Sequence, residues 1–251
     1  MSEISYNQAG QTENGRRLHA IVRAALSLGI WMVLAAQITL VFSLNWRVRA
    51  DASPGVSVWE ILPIAAVLTV FLYLQAGAFH ALTRGRNSVS VIEVLRAGKS
   101  VFADFVWLSL KACLLFFLIM NVLLYLALIV SGKDLKVLID MLSPFFSLMI
   151  SILSFMLVYW LPFVFVQREF RLLPSLRAAL KIAWSRLASS AFLALLVFLP
   201  TIISHLLPTK SPWWVDLMLS VIGGLMGWIA YIYCVERLQE QTKNPVHPGS
   251  V

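Results

Sequence analysis

Few residues of this 251-residue chain are of the types and spacing that do chemistry. Ala97-Gly98-Lys99-Ser100 ends like a phosphate-binding loop, but the first glycine of that motif would fall at position 93, where the chain has Glu93. The four histidines are spread along the sequence, and neither cysteine has a CxxC partner. HExxH and GxSxG motifs are absent from the sequence. We therefore expect no enzyme activity, no metal site and no cofactor.

Lys111 is the only basic residue well inside an apolar run of the sequence. Ionisable residues within membrane spans are costly, so they are candidates for a functional role. In one interpretation Lys111 lines a translocation path, together with Asn121 or Gln75. In the other, its long aliphatic stem carries the amine back to the membrane surface. Lys111 is therefore a candidate intramembrane functional residue with a second, purely interfacial interpretation.

The elements that must carry these residues are apolar runs long enough to cross a membrane. The chain is 60% hydrophobic and 13% charged, with a mean hydropathy of +0.83. Soluble domains have about 45–50% apolar and about 25% charged residues. A span needs roughly 20 apolar residues and must be helical to satisfy its own backbone polar groups. The sequence therefore predicts an all-α, polytopic membrane helix bundle of six transmembrane helices. The six apolar runs lie at about 24–45, 58–82, 105–130, 138–166, 188–206 and 213–235.

Basic residues divide unequally between the two sides of these spans. Most of the 20 Lys and Arg fall on the side of the two chain ends. Because cytoplasmic loops carry the excess of bases, both ends are predicted to be cytoplasmic. The N-terminal segment has no signal-peptide pattern, so the first span is expected to remain in the mature protein. The domains predicted are a cytoplasmic segment 1–18, a six-span membrane domain 19–236 and a cytoplasmic tail 237–251.

Two cytoplasmic connections have the pattern of amphipathic helices, at about 90–104 and 172–187. In the first, Ser90 followed by Glu93 forms a capping box, which predicts a helix start. The apolar face predicted for this helix consists of Val91, Leu95, Gly98, Phe102 and Phe105. In the second, the predicted apolar stripe consists of Leu172, Leu173, Leu176, Leu180, Trp184 and Leu187. Both helices are expected to lie on the cytoplasmic membrane surface with the apolar face inward.

The bases on these connections are the candidate contacts for anionic lipid headgroups or a partner subunit. An equally simple interpretation is that the bases only set the topology of the chain. The positive-inside rule explains the number of bases but not their segregation to one helix face, so both interpretations stay open. The candidate contacts are Arg96, Lys99, Arg168, Arg171, Arg177, Lys181 and Arg186.

Two further patterns concern helix packing. Leu95-Arg96-Ala97 recurs as Leu176-Arg177-Ala178, each near the start of an amphipathic helix, which indicates a parallel internal repeat of span, surface helix and span. The last span carries GxxxG and a second small-xxx-small pair, patterns that let helix backbones approach closely. The residues of this candidate packing face are Ser220, Gly223, Gly224 and Gly227.

The stretch from Leu161 to Glu169, LPFVFVQRE, and the stretch LRAALKIAW from Leu176 to Trp184 carry a family resemblance. They resemble the YciC-like and glycerophosphodiester-phosphodiesterase membrane-domain-like families of bacterial six-span proteins. The resemblance implies a six-span fold in the bacterial inner membrane. This chain has Ala179 where a serine is frequent in those families, and the resemblance carries over no catalytic residue.

Three functions fit these patterns. The first is a non-catalytic inner-membrane protein that binds anionic lipids, or is accessory to a membrane complex, through its basic surface helices. The second is a small transporter or channel built from two parallel repeats, with Lys111 on the path. The third is an accessory subunit that docks on partner membrane proteins through the glycine face. Membrane lipids, anionic ones in particular, and partner subunits are the expected partners, and no nucleic acid is expected.

Overall fold

The computed structural model describes residues 15, 17–49, 58–84, 88–131, 157–206 and 213–243. Within these residues the chain is helical apart from turns and short connections and contains no strand, which confirms the all-α prediction. The helices are α1 (Arg17–Ala25), α2 (Leu28–Arg49), α3 (Val58–Leu82), α4 (Val91–Ser131), α5 (Trp160–Gln167), α6 (Leu172–Ser185), α7 (Leu187–Leu206) and α8 (Trp213–Lys243).

Three helices are long and apolar enough to cross a membrane, over Leu62–Leu82 in α3, Val91–Ile129 in α4 and Trp213–Thr242 in α8. Two bent pairs, α1 with α2 and α6 with α7, pass the same test when each pair is counted as one span. The described residues therefore hold three to five candidate spans, fewer than the six predicted. Most of the fourth predicted span, residues 138–156, lies outside the described residues.

The first predicted span, at about 24–45, has a break near its start, and the rest of it lies in α2. α1 ends at Ala25 and α2 begins at Leu28, with a bend of 50° between them. After the break, Gly29 donates its backbone N–H to the carbonyl of Val89 at 3.0 Å. A Cβ on Gly29 would lie 2.8 Å from that oxygen, so glycine is needed for this approach. The apolar pattern missed the break because it continues across Ser27.

Residues Met1–Phe102 and Leu196–Val251 form one compact unit. In its core, α3 meets α8 through aromatic rings, with the Phe79 centroid 5.0 Å from that of Trp228 and 4.5 Å from that of Tyr231. The Tyr231 hydroxyl donates to the Phe79 carbonyl at 3.0 Å, so this buried phenol is satisfied. Nearer the end of α8, Gln239 Nε2 donates to the carbonyl of Thr83. Packing and hydrogen bonds together fix α3 against α8.

α3 and α4 cross at two glycines. A Cβ on Gly77 would lie 2.1 Å from the carbonyl oxygen of Val94 and 3.0 Å from the nitrogen of Gly98. The Tyr73 ring lies against Gly98, and its hydroxyl donates to the carbonyl of Leu95 at 2.6 Å. Small residues allow such close backbone contact between helices. Gly98, which resembled part of a phosphate loop in the sequence, lies in this crossing.

α4 differs from the predicted surface helix at 90–104. The capping box is confirmed, since the Ser90 N–H donates to Glu93 Oε2 at 2.9 Å and the Glu93 N–H donates to Ser90 Oγ at 3.3 Å. The helix then runs unbroken to Ser131. No proline or glycine follows Gly98 in this helix, so nothing ends it where the surface segment was predicted to end. The segment predicted to lie on the membrane surface is therefore continuous with the apolar run that follows it and forms the first part of a long helix.

The apolar face predicted for this segment is only partly buried against the protein. Gly98 and Phe105 are buried, but Leu95 is 43% exposed. The buried positions include Val94 and Ala97, which were not in the predicted face. The crossing with α3 explains the difference, because the face that meets Gly77 is selected for close backbone approach rather than for large apolar side chains.

Residues Ala103–Leu195 form the second compact unit. Its core contains Phe105 of α4, whose ring centroid lies 5.7 Å from that of Phe165 in α5. Phe165 also meets Phe170, edge to face, at 5.6 Å. α5 packs on α6, and Val164 and Phe165 of α5 are buried. This second unit holds most of the candidate basic residues.

Candidate functional site

α6 is attached to α5 by a buried side-chain hydrogen bond. Trp160 Nε1 donates to Ser175 Oγ at 2.9 Å, and Ser175 Oγ donates to the carbonyl of Leu172 at 3.0 Å. The indole and the hydroxyl are both satisfied, which matters because an unpaired buried donor costs about 1–3 kcal/mol. Ser175 therefore fixes which face of α6 turns toward the protein.

Three faces of α6 have different character. The face toward the protein consists of the small residues Ser175, Ala179 and Ala183, which are buried. Beside it stand large apolar residues that the described chain leaves open, with Leu173 60% and Trp184 71% exposed. Next to this apolar face lies the basic face of α6, which we define as Arg177 and Lys181, both exposed. A helix with adjacent apolar and basic faces suits the boundary between hydrocarbon and headgroups.

The end of α6 turns sharply into α7. The two helices are bent by 106° at Arg186, the residue between them. The backbone N–H of Arg186 still bonds to the carbonyl of Ile182 at 3.2 Å. Ser190 then closes the bend, since its hydroxyl lies 2.9 Å from the carbonyl of Arg186 and 3.1 Å from that of Ala183. The bend orients α6 across the direction of α7.

The connection between α5 and α6 neutralises one of the candidate bases. Arg171 donates from Nε and Nη2 to the two carboxylate oxygens of Glu169, at 2.7 and 2.9 Å. The hydrogen bond from Arg171 lowers the pKa of the Glu169 carboxyl. Arg168 stands before this pair in the left-handed conformation, with φ 52°, and its N–H bonds to the Val164 carbonyl. Arg168 is exposed, whereas the charge of Arg171 is already paired.

The bases of α4 lie in the other unit. Arg96 and Lys99 are both exposed, on the opposite side of α4 from Val94 and Ala97. The side chain of Leu95, whose carbonyl accepts the hydrogen bond from the Tyr73 hydroxyl, is exposed as well. The segment therefore presents apolar and basic side chains together, as α6 does. Because the two units are distinct, we treat Arg96 and Lys99 apart from the basic face of α6.

The predicted repeat is not matched by the helices that carry it. Leu95-Arg96-Ala97 lies within the unbroken α4, whereas Leu176-Arg177-Ala178 lies in α6, which ends after two more turns at the bend. Ala97 is buried against a glycine crossing, and Ala178 is partly buried. The tripeptides therefore share a sequence but serve different local structures.

Lys111 and Asn121 make their contacts on α4 itself. The Lys111 amine lies 5.0 Å from the ring centroid of Trp107, one turn toward the start of the helix. Such cation–π contact stabilises an amine at low exposure. Asn121 Nδ2 donates to the carbonyl of Phe117 at 2.7 Å. The contact with Trp107 is compatible with the interfacial interpretation of Lys111, and the solute path stays an alternative prediction.

The glycine face of α8 divides among different neighbours. A Cβ on Gly224 would lie 2.4 Å from Leu34 Cδ2 of α2, so this position packs within the chain. A Cβ on Gly223 would make ordinary contact with Pro200 of α7, at 3.4 Å. At Gly227 no atom of the described residues lies within 4 Å. Ser220, one turn before Gly224, is partly buried.

Sequence reasoning missed a charged cluster where α1 meets the end of α8. Arg17 pairs with Glu240, and Arg237 lies 3.3 Å from the same carboxylate. In the sequence, Arg17 and Arg237 belong to the bases on the side of the two chain ends and have no other predicted role. The spacing of Arg237 and Glu240 was the available signal, since residues three apart on a helix are neighbours. No pattern in the sequence predicts the pairing of Glu240 with Arg17, because the two residues are far apart along the chain.

The described residues contain no group of three His, Cys, Asp or Glu side chains placed to hold a metal ion. Comparisons of the chain with protein-family models, with curated proteins and with solved structures found no match. The resemblance to YciC-like proteins therefore stays a prediction.

Proposed function

We propose that the chain is a non-catalytic, multi-pass protein of the bacterial inner membrane, of the YciC-like kind, that binds anionic lipid headgroups through its basic surface segments. The proposal includes six spans, with both chain ends in the cytoplasm. The observation that carries it is the three-faced α6, which has small residues toward the protein, exposed Leu173 and Trp184, and the basic face of Arg177 and Lys181 beside them.

The attraction between the basic face of α6 and an anionic membrane surface can be estimated. A base near an anionic membrane surface contributes about 1 kcal/mol. Among the described residues neither Arg177 nor Lys181 forms an ion pair such as Arg171 forms with Glu169, so in this proposal both charges face the headgroups. Together they contribute about 2 kcal/mol, or about 30-fold in affinity. This attraction should weaken at high salt, because exposed charges are screened.

The test is retention of anionic lipid by the full chain in nanodiscs. We expect Arg177→Gln with Lys181→Gln to lower phosphatidylglycerol retention about 30-fold relative to the unchanged chain. Arg171→Gln is the matched control, because it removes one charge that Glu169 already pairs. Retention that is unchanged in the double variant, or equally reduced in the control, contradicts the proposal.

The transporter alternative has less support among the described residues. Lys111 and Asn121, the polar side chains proposed to line a path, contact their own helix. Ion or solute flux in liposomes that vanishes with Lys111→Met would restore that alternative. Stable co-purification with one membrane protein would instead support the accessory role.

A further inference from the structure

A cavity of about 270 Å³ lies between α1 and the last turns of α8, within one compact unit. Leu18, Ile21 and Tyr233 form its apolar wall. Its volume is below the roughly 300–1,000 Å³ of sites for drug-sized ligands, so it suits a small group such as a headgroup. The basic face of α6 belongs to the other unit.

Charges of both signs line the rest of the cavity. The carboxylate of Glu240 is paired with two arginines, since it accepts hydrogen bonds from Nη1 of Arg17 and, at 3.3 Å, from Nη1 of Arg237. Arg237 is held further by Tyr233, whose hydroxyl accepts from Nε at 3.2 Å and whose ring lies 5.3 Å from the guanidinium carbon. These bonds hold Arg237 in one orientation through Nε and Nη1. Among the described residues none accepts a hydrogen bond from its Nη2, which is therefore available to an anion.

Glu236 has no such partner. It is partly buried, and no described residue donates a hydrogen bond to its carboxylate, although Arg17 and Arg237 act on it through their charges. Partial burial of a carboxylate without a hydrogen-bond donor carries part of its desolvation cost. An ammonium group in the cavity would supply donors and the opposite charge together.

We propose that this cavity binds a phosphoethanolamine group, with its ammonium against Glu236 and its phosphate against Nη2 of Arg237. A ligand that carries both charges suits a site lined by two arginines and two glutamates, because it leaves the net charge of the site unchanged. Leu18, which is 60% exposed, and Ile21 offer apolar surface beside the group. The group is supplied either by phosphatidylethanolamine or by a soluble ester of phosphoethanolamine.

The experiment titrates the purified full chain with two probes. One is short-chain phosphatidylethanolamine in mixed micelles, and the other is glycerophosphoethanolamine in solution. Glu236→Gln removes the charge but keeps the shape of the side chain, and we expect it to weaken binding of the probe about tenfold or more. Asp104→Asn is the matched control, because Asp104 is an exposed carboxylate of α4 outside the cavity lining. The control should bind as the unchanged chain does.

Saturable binding of either probe that Glu236→Gln weakens and Asp104→Asn does not supports the proposal, and the probe that binds identifies the source. Absence of binding by both probes overturns it, as does equal binding to Glu236→Gln. This test is independent of the proposed function. Arg177→Gln with Lys181→Gln should leave phosphoethanolamine binding unchanged, and Glu236→Gln should leave phosphatidylglycerol retention unchanged, so failure of one proposal is distinguishable from failure of the other.

Discussion

Gly77→Ala tests the crossing of α3 and α4 that positions Arg96 and Lys99. The added Cβ would lie 2.1 Å from the Val94 carbonyl oxygen, far inside van der Waals contact. Overpacking costs about 1–3 kcal/mol, and the upper part of that range applies because the obstacle is backbone. Alanine returns about 1 kcal/mol of helix propensity. We therefore expect the free energy of unfolding to fall by about 2 kcal/mol.

Two other glycines of the chain give matched controls for the same substitution. At Gly224 the nearest atom is Leu34 Cδ2, the end of a side chain that can rotate, so Gly224→Ala should cost less than Gly77→Ala. At Gly227 nothing among the described residues lies within 4 Å, and Gly227→Ala should raise stability by about 1 kcal/mol.

The assay is reversible unfolding in mixed micelles with increasing dodecyl sulfate, followed by tryptophan fluorescence. The three variants should rank Gly77→Ala least stable, Gly224→Ala intermediate and Gly227→Ala most stable. A Gly77→Ala chain that is as stable as the Gly227→Ala chain would refute the close crossing, and with it the argument for the exposed side of α4.

Three further predictions use the same unfolding assay. Arg168→Gly should stabilise the chain by about 1 kcal/mol, because glycine adopts the left-handed conformation at no steric cost. Destabilisation by this substitution would show that the Arg168 side chain makes an important contact. Ser175→Ala should lower the free energy of unfolding by about 1–3 kcal/mol, because the indole N–H of Trp160 loses its buried acceptor. An unchanged free energy of unfolding would contradict that hydrogen bond. Ser90→Ala should cost about 1 kcal/mol through loss of the cap on α4, while Ser88→Ala, outside the capping box, should cost little.

The sequence predicted features that depend on neighbouring residues. The capping box at Ser90 and Glu93 formed as expected, because both hydrogen bonds lie within one helical turn. The helical character of the apolar runs followed from hydropathy alone. The large apolar side chains of α6, such as Leu173 and Trp184, remained exposed on the side where the stripe was predicted.

Features that depend on contacts between distant residues were missed. The break at Ser27 results from the approach of Gly29 to Val89, and no local pattern announces it. The buried face of α4 is set by Gly77 on another helix, so hydrophobic spacing within α4 did not predict that Val94 and Ala97 are buried. The same limit hid the charged cluster of α1 and α8 and its cavity.

Site-directed labelling tests most directly whether the basic face of α6 lies on the cytoplasmic membrane surface, on the same side as both chain ends. Cys113 and Cys234 are first replaced by alanine, and single cysteines are then introduced as Ser2→Cys, Lys181→Cys and Ser250→Cys. Labelling by a membrane-impermeant maleimide is compared between right-side-out and inverted vesicles. The proposal predicts that all three positions react from the cytoplasmic face alone. Reaction of Lys181→Cys from the outer face, or of the two ends from opposite faces, would contradict it.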